Sequence, residues 1–236
     1  MARQDDIDRF YGLLNDLEQR VGGTRQLKNC TGYMDWPDRG VYIFFAPDEY
    51  RDSGDQLRVT RIGTHAVSEG SSTSLWNRLR THRGAMRGTY DGGGNHRGSV
   101  FRKRVGEAFV ERDSLHGEYP QWGEGSSAKR EQRLDELEME RRVSDYLRSL
   151  PFLWLKVDDE PSADSQRAYI ERNTIALLSN YQQDAVDARS NDWLGNHSRS
   201  VKIRESGLWN VNHVGEEYDP MFLDILTDAI EDTQPL

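Results

Sequence analysis

The chain has 236 residues, 35% of them hydrophobic and 30% charged, with a mean hydropathy of −0.85 and a net charge of −9. This composition supports one sizeable core with a strongly solvated surface. No apolar run approaches the ~18–20 residues of a membrane span, and the first residues lack a signal-peptide pattern, so we expect no membrane partner and a cytoplasmic location. The single Cys30 excludes an internal disulfide and a cysteine-rich zinc site.

Sequence periodicity predicts the secondary structure in chain order. Sequence patterns indicate helices over 7–21, 98–105, 129–150, 165–181 and 221–230. A further helix is predicted to begin after the N-cap cluster 71–74 and to run through 83. Runs of β-branched and aromatic residues indicate strands at 40–45, 57–63 and 152–157, the first two forming an antiparallel hairpin. Because no internal repeat is visible, we predict a single α+β domain over residues 1–236.

The charges are unevenly distributed along the chain. Residues 77–112 contain nine Lys or Arg and three acids, so this segment carries +6 and the remainder −15. Residues 216–236 contain seven acids and no Lys or Arg, and we interpret them as a solvated acidic tail. For the basic segment, charge alone leaves a solvated face and a phosphate-binding surface equally open.

One helix carries a carboxylate on its apolar side. In the helix predicted over 165–181, Ala168, Ile175 and Leu178 share a face, and Glu171 lies in the middle of it. A buried, ionised carboxylate costs free energy unless it is paired or binds a cation. An ion pair with an arginine and a metal-binding or catalytic role are therefore both open for Glu171.

A second helix carries Arg78 and His82 one turn apart, on the same side as Leu75 and Leu79. A lone histidine there is more often a packing residue, and an arginine can extend from the edge of an apolar stripe. Together, within a segment of net positive charge, they favour a phosphate-facing pair. Tyr42 lies in a predicted strand, where a tyrosine is ordinarily structural.

The order of these features resembles the GIY-YIG nuclease superfamily, which includes phage homing endonucleases, the incision subunit of bacterial nucleotide excision repair and some restriction enzymes. The resemblance covers roughly 39–180, and it implies a small antiparallel sheet flanked by helices, with helical and loop insertions. Residues 1–38 would then be an N-terminal helical extension, and 181–236 a C-terminal extension. The motifs that carry it are Gly40-Val41-Tyr42, Arg61-Ile62-Gly63, Arg78-x-x-x-His82 and Glu171-Arg172-Asn173-x-Ile175.

The resemblance implies hydrolysis of phosphodiester bonds with one divalent cation, Mg²⁺ or Mn²⁺, held by Glu171. Tyr42 would take a proton from the attacking water, which for a tyrosine requires positive charge nearby. The chain departs from the family at Arg61, where a tyrosine is usual, and it carries extra residues after 84 and after 180. The implied catalytic residues are Tyr42, Arg61, Arg78, His82, Glu171 and Asn210.

The implied partner is nucleic acid, and the family analogy favours DNA. Two nearby aromatic residues, Tyr90 and Phe101, are candidates for stacking on bases. Cutting both strands of a duplex would need two active sites or two successive nicks, so a homodimer is a further expectation. The candidate nucleic-acid-binding residues are Arg80, Arg83, His96, Arg97, Arg102, Lys103 and Arg104.

Two other functions remain open from the sequence. The chain could be a non-catalytic module that keeps the fold and binds nucleic acid or protein, as the arginine at position 61 would suit. It could also be an assembly protein that docks through its acidic tail and the 129–150 helix. A cleavage assay with Mg²⁺, Mn²⁺ and a chelator separates both from a nuclease.

Overall fold

The structure, a computed structural model, describes residues 2–236. Its strands are β1 (Arg25–Gln26), β2 (Gly40–Tyr50), β3 (Leu57–Gly63) and β4 (Pro151–Lys156). Its α-helices are α1 (Ala2–Val21), α2 (Leu75–Arg83), α3 (Val100–Arg112), α4 (Arg130–Asp135), α5 (Leu137–Ser149), α6 (Gln166–Leu178), α7 (Val201–Ser206) and α8 (Phe222–Glu231). Within this range, no helix is both long enough and apolar enough to cross a membrane.

The four strands form one antiparallel sheet in the order β1-β4-β2-β3. Residues 40–46 of β2 are all buried, so both faces of the sheet are covered. Helices α1, α6 and α8 pack together, whereas α2, α3 and α5 form a second group. The second group covers Tyr42 and Phe44, which contact His82 and Phe101 respectively. This arrangement confirms the predicted α+β fold with a small antiparallel sheet between helices.

The outer edge of β3 is closed by segments from both ends of the chain. The phenol oxygen of Tyr11 in α1 accepts a hydrogen bond from the Val59 amide at 2.9 Å. On the same edge, the Trp209 amide donates to the Thr60 carbonyl at 2.7 Å. Because an uncovered edge strand exposes unpaired backbone groups, these contacts protect the hairpin and tie residues near 209 to it.

Two predicted helices show differences from the structure that have a clear local cause or consequence. The 129–150 helix is divided into α4 and α5 at Glu136, and Leu134 in α4 is exposed. The basic helix begins at Val100 rather than at 98, because the Ser99 hydroxyl accepts from the Arg102 amide and caps it. The prediction also missed β1 and α7, both too short to give a periodic signal.

Candidate active site

Two glycines allow the β2–β3 hairpin to pack against its neighbours. Tyr42 pairs with Gly63 across the hairpin, so both face the same side of the sheet. A Cβ added to Gly63 would lie 2.6 Å from Cε2 of Tyr42 and closer still to its hydroxyl. A Cβ added to Gly40 would collide with the backbone of Leu155 in β4. Each glycine therefore leaves space that an adjacent residue fills.

Tyr42 and His82 form an enclosed hydrogen-bonded pair. Nε2 of His82 lies 2.9 Å from the Tyr42 hydroxyl, and both side chains are fully buried. Nδ1 of His82 lies 3.2 Å from Oγ of Ser99, which already accepts from the Arg102 amide. The hydroxyl proton of Ser99 is therefore donated to Nδ1, which places the single ring N–H proton on Nε2. In that tautomer His82 donates to the oxygen of Tyr42.

His82 is held in its neutral form. Burial lowers its pKa well below the ordinary value, and the positive charges of Arg78, Arg61 and Arg102 lower it further. Near neutral pH the ring therefore has one donor nitrogen and one acceptor nitrogen. A residue in this state can orient Tyr42, but it is a poor acceptor for the proton of the tyrosine.

Arg78 connects the enclosed pair to the surface. Its side chain is partly exposed, while Leu75 and Leu79 of the same helix are buried. The pKa of Arg78 is raised, first by the negative charge that Tyr42 carries when ionised and also by Glu171. Among residues 2–236, its buried Nε has no hydrogen-bond partner. An unpaired donor on a partly exposed guanidinium suits an anionic ligand.

Glu171 in α6 is the acidic member of the group. One of its oxygens accepts from the Thr64 amide at 3.3 Å, just beyond the end of β3. Burial raises the pKa of Glu171, although Arg61, His213 and Arg78 oppose that shift through their charges. No arginine within residues 2–236 forms a direct salt bridge with it, so these cations act at longer range.

Arg61 and Asn210 lie at the hairpin beside this group. Arg61 pairs with Phe44, so its side chain shares the face of Tyr42; it donates to the Trp209 carbonyl at 3.2 Å. The amide of Asn210 accepts from the Ile62 nitrogen at 3.2 Å and donates to the Ile62 carbonyl at 2.9 Å. Both polar ends of the Asn210 side chain are thus used on the edge of β3.

The comparison with known families agrees with this geometry. The family model described as the GIY-YIG domain matches residues 1–236, the whole chain. The chain belongs to the GIY-YIG family. No curated protein and no solved structure matches it. Membership confirms the resemblance drawn from the four motifs and indicates a nuclease-type function.

Much of the basic segment of this GIY-YIG protein is neutralised internally. Arg102 is fully buried and bonds to the Glu140 carboxylate at 2.6 Å, while His96 lies 2.9 Å from the same carboxylate and stacks on Trp122. Arg97 makes a bidentate pair with Glu136 at 2.6 and 2.8 Å. All three basic side chains are therefore engaged with acids from distant positions in the chain. Their role in nucleic-acid binding stays a prediction.

The remaining candidates for nucleic-acid binding divide into two sets. Lys103 donates to the Gly123 carbonyl and Arg104 pairs with Glu107 at 2.7 Å, so both are engaged within the fold. Arg80 is exposed, and Arg83 is partly exposed. Phe101, a predicted stacking residue, is fully enclosed and cannot meet a base.

Residues that the sequence analysis did not select also surround the GIY-YIG site. The backbone of Thr64 binds Glu171, Ser99 contacts His82, and His213 acts on Glu171 through its charge. His65 is buried, and burial lowers its pKa to about 4, with the charges of Arg167 and Arg78 contributing. Thr64 and His65 follow Gly63 directly, and that adjacency is the one signal in the sequence that could have identified them.

Proposed function

We propose that this GIY-YIG protein is a metal-dependent endonuclease that hydrolyses phosphodiester bonds, with DNA as the substrate by family analogy. The observation that carries the proposal is the grouping of Arg78 and Glu171, both partly exposed, in front of the enclosed pair Tyr42–His82. A cation and a carboxylate at the surface suit a phosphate and a metal ion. Behind them, Tyr42 would take part in proton transfer, and His82 orients its oxygen.

The donor set fits a hydrated Mg²⁺ or Mn²⁺ ion rather than a metal enclosed by protein ligands. Among residues 2–236 there is no group of three His, Cys, Asp or Glu that could hold a metal. Glu171 offers a carboxylate that is largely desolvated and has a protein donor, Thr64, on one oxygen only. Mg²⁺ keeps several waters and is often held by one or two carboxylates, so Glu171 would hold it. When bound, the ion would neutralise charge on the phosphate and the leaving oxygen.

The protein's own residues then have distinct roles. Arg78 binds a non-bridging phosphate oxygen and stabilises the negative charge that grows there during the reaction. Tyr42 acts in its ionised form, having released its own proton to solvent, and its oxygen accepts the proton of the attacking water. The Nε2–H of His82 donates to this oxygen and holds it in position. The positive charge of Arg61, in place of the usual tyrosine, favours the ionised forms of nearby groups, as its effect on the pKa of Glu171 indicates. These roles are proposals, as is a catalytic role for Asn210, whose side-chain amide supports the hairpin.

The leading alternative is a non-catalytic module with the same fold. The arginine at position 61 and the complete enclosure of Tyr42 favour it. Two features argue against this alternative: Nε of Arg78 has no partner, and the carboxylate of Glu171 is desolvated. Both cost stability, and a non-catalytic protein would need neither. The four site residues come from one chain, so cleavage of one strand needs no homodimer. The division into a 39–180 core with two extensions is likewise a proposal.

The test uses purified wild type and Arg78→Ala on supercoiled plasmid with Mg²⁺, Mn²⁺ or a chelator. We expect the wild type to nick the plasmid only with the metal and Arg78→Ala to be at least ~10²-fold slower. Arg20→Ala, which removes an exposed arginine at the end of α1, is the control and should cleave normally. Metal-dependent cleavage by Arg78→Ala at the wild-type rate would contradict the proposal. Absence of cleavage by the wild type would support the binding module.

A further inference from the structure

A groove beside α2 collects arginines that the active site does not use. It has a volume of about 520 Å³ and is lined by α2, the segment 84–98 and Arg133 of α4. Three more arginines, Arg80, Arg83 and Arg87, line it. None of its lining residues, all within 2–236, is acidic. The groove is therefore a concentration of positive charge on a protein whose net charge is −9.

These arginines differ from the other basic residues of the same region. Arg97, Arg104 and Arg112 each have a carboxylate partner. Within residues 2–236, the four groove arginines form no salt bridge. Burial lowers the pKa of Arg83, and the charge of Arg80 lowers it further. Like charges this close, without an acid between them, favour an anionic ligand.

The shape of the groove selects among anions. The guanidinium of Arg133 lies over the ring of Tyr90, 3.8 Å from its centroid, which places a flat surface beside the charges. Gly98 lines the same wall, and a Cβ added there would meet nothing within 4 Å, so its backbone is open to a ligand. Arginines with an adjacent aromatic ring match a nucleic-acid strand, whose phosphates repeat along the chain and whose bases stack.

We infer that this groove binds the phosphodiester backbone of a nucleic-acid strand outside the cleavage site. The choice of nucleic acid rests on the proposed nuclease function. Helix α2 connects the two sites, since Arg78 and Arg80 differ by about 200° around a helix of 3.6 residues per turn and so lie on opposite sides of it. A helix is about 10–12 Å across and duplex DNA rises about 3.4 Å per nucleotide, so the groove would hold the strand roughly three nucleotides from the scissile phosphate.

The test compares two double variants of the full chain. Arg80→Ala/Arg87→Ala removes two groove charges, and Arg20→Ala/Lys202→Ala removes two exposed charges elsewhere. Binding of a fluorescent single-stranded oligonucleotide and of its duplex is measured with chelator over a salt series. For the single strand, losing two phosphate contacts should reduce the salt slope by about 1.4 and weaken binding about 25-fold at 0.1 M salt. Arg80→Lys/Arg87→Lys keeps the charge and should restore most of the affinity.

The outcomes separate the groove from the catalytic proposal. The inference is supported if Arg80→Ala/Arg87→Ala loses affinity and Arg20→Ala/Lys202→Ala does not, whether or not the wild type cleaves. Where it does cleave, the groove variant should raise KM and leave kcat unchanged. Equal affinity and salt slope for wild type and groove variant would overturn the inference even if cleavage is normal. Equal competition by polyglutamate would overturn the assignment to nucleic acid.

Discussion

Gly63→Ala tests whether Tyr42 keeps its position because residue 63 has no side chain. The added Cβ would lie 2.6 Å from Cε2 of Tyr42, whereas carbon atoms in contact prefer about 3.5–4.0 Å. Because Gly63 pairs with Tyr42 at the end of β3, the tyrosine ring must move by roughly 1 Å, away from its hydrogen bond with His82.

The cost has two parts. Overpacking a buried site costs about 1–3 kcal/mol. Leaving Nε2 of the buried His82 without a partner costs about 1–3 kcal/mol. The two effects share one displaced ring and are not fully additive, so we expect the free energy of unfolding to fall by about 2–4 kcal/mol. A displacement of about 1 Å in a catalytic group should slow cleavage by roughly 10²-fold.

The assay combines denaturant unfolding with plasmid nicking at saturating Mg²⁺. Gly12→Ala is the matched control, because Gly12 is in α1 and a Cβ there meets nothing within 4 Å. It should raise the free energy of unfolding by about 0.5–1 kcal/mol, as alanine does in a helix, without changing cleavage. If Gly63→Ala unfolds and cleaves as the wild type does, the hairpin does not constrain Tyr42 in this way.

Three further predictions concern the enclosed network. Tyr42→Phe should slow metal-dependent nicking by about 10²–10⁴-fold while the protein remains folded by circular dichroism; unchanged nicking would remove Tyr42 as the base. Ser99→Ala removes the cap of α3 and the partner of His82, so thermal unfolding should show a loss of about 1 kcal/mol, accompanied by slower nicking; a stability loss without slower nicking would limit Ser99 to capping. Hydrogen bonds from His96 and Arg102 hold the pKa of Glu140 below its ordinary value despite burial. The ionised carboxylate therefore stabilises the fold above pH ~4.3, the ordinary pKa of glutamate. This contribution is lost as the pH falls through the lowered pKa. Glu140→Gln should cost about 3–5 kcal/mol at pH 7 in urea unfolding, a difference that shrinks below pH ~4; a constant difference over pH 3–7 would contradict this account.

The sequence predicted the parts of the site that depend on local periodicity. Glu171 was identified because its neighbours on one helix face are apolar, and Arg78 and His82 because they are one turn apart. The start of α2 followed from the predicted N-cap cluster 71–74, since the Ser74 side chain accepts a hydrogen bond from the first turn.

The basic segment could not be predicted in the same way. A count of charges gives +6 for residues 77–112, but Arg97 and Arg102 are paired with acids 39 and 38 residues further along the chain. Such partners are brought together only by the packing of α3 against α5, which no local pattern reveals. Similarly, Asn210 and Ile62 are 148 residues apart in the chain, so residue spacing could not predict the contact of Asn210 with the hairpin.

Glu171→Gln tests most directly whether Glu171 holds the proposed catalytic metal. Because burial raises the pKa of Glu171, its charge costs stability at pH 7, so removing the charge should leave the free energy of unfolding unchanged or higher. We predict that Mg²⁺- and Mn²⁺-dependent nicking falls at least ~10²-fold, whereas Glu138→Gln, at an exposed position of α5, nicks normally. Nicking by Glu171→Gln at the wild-type rate and with the same metal dependence would contradict the account.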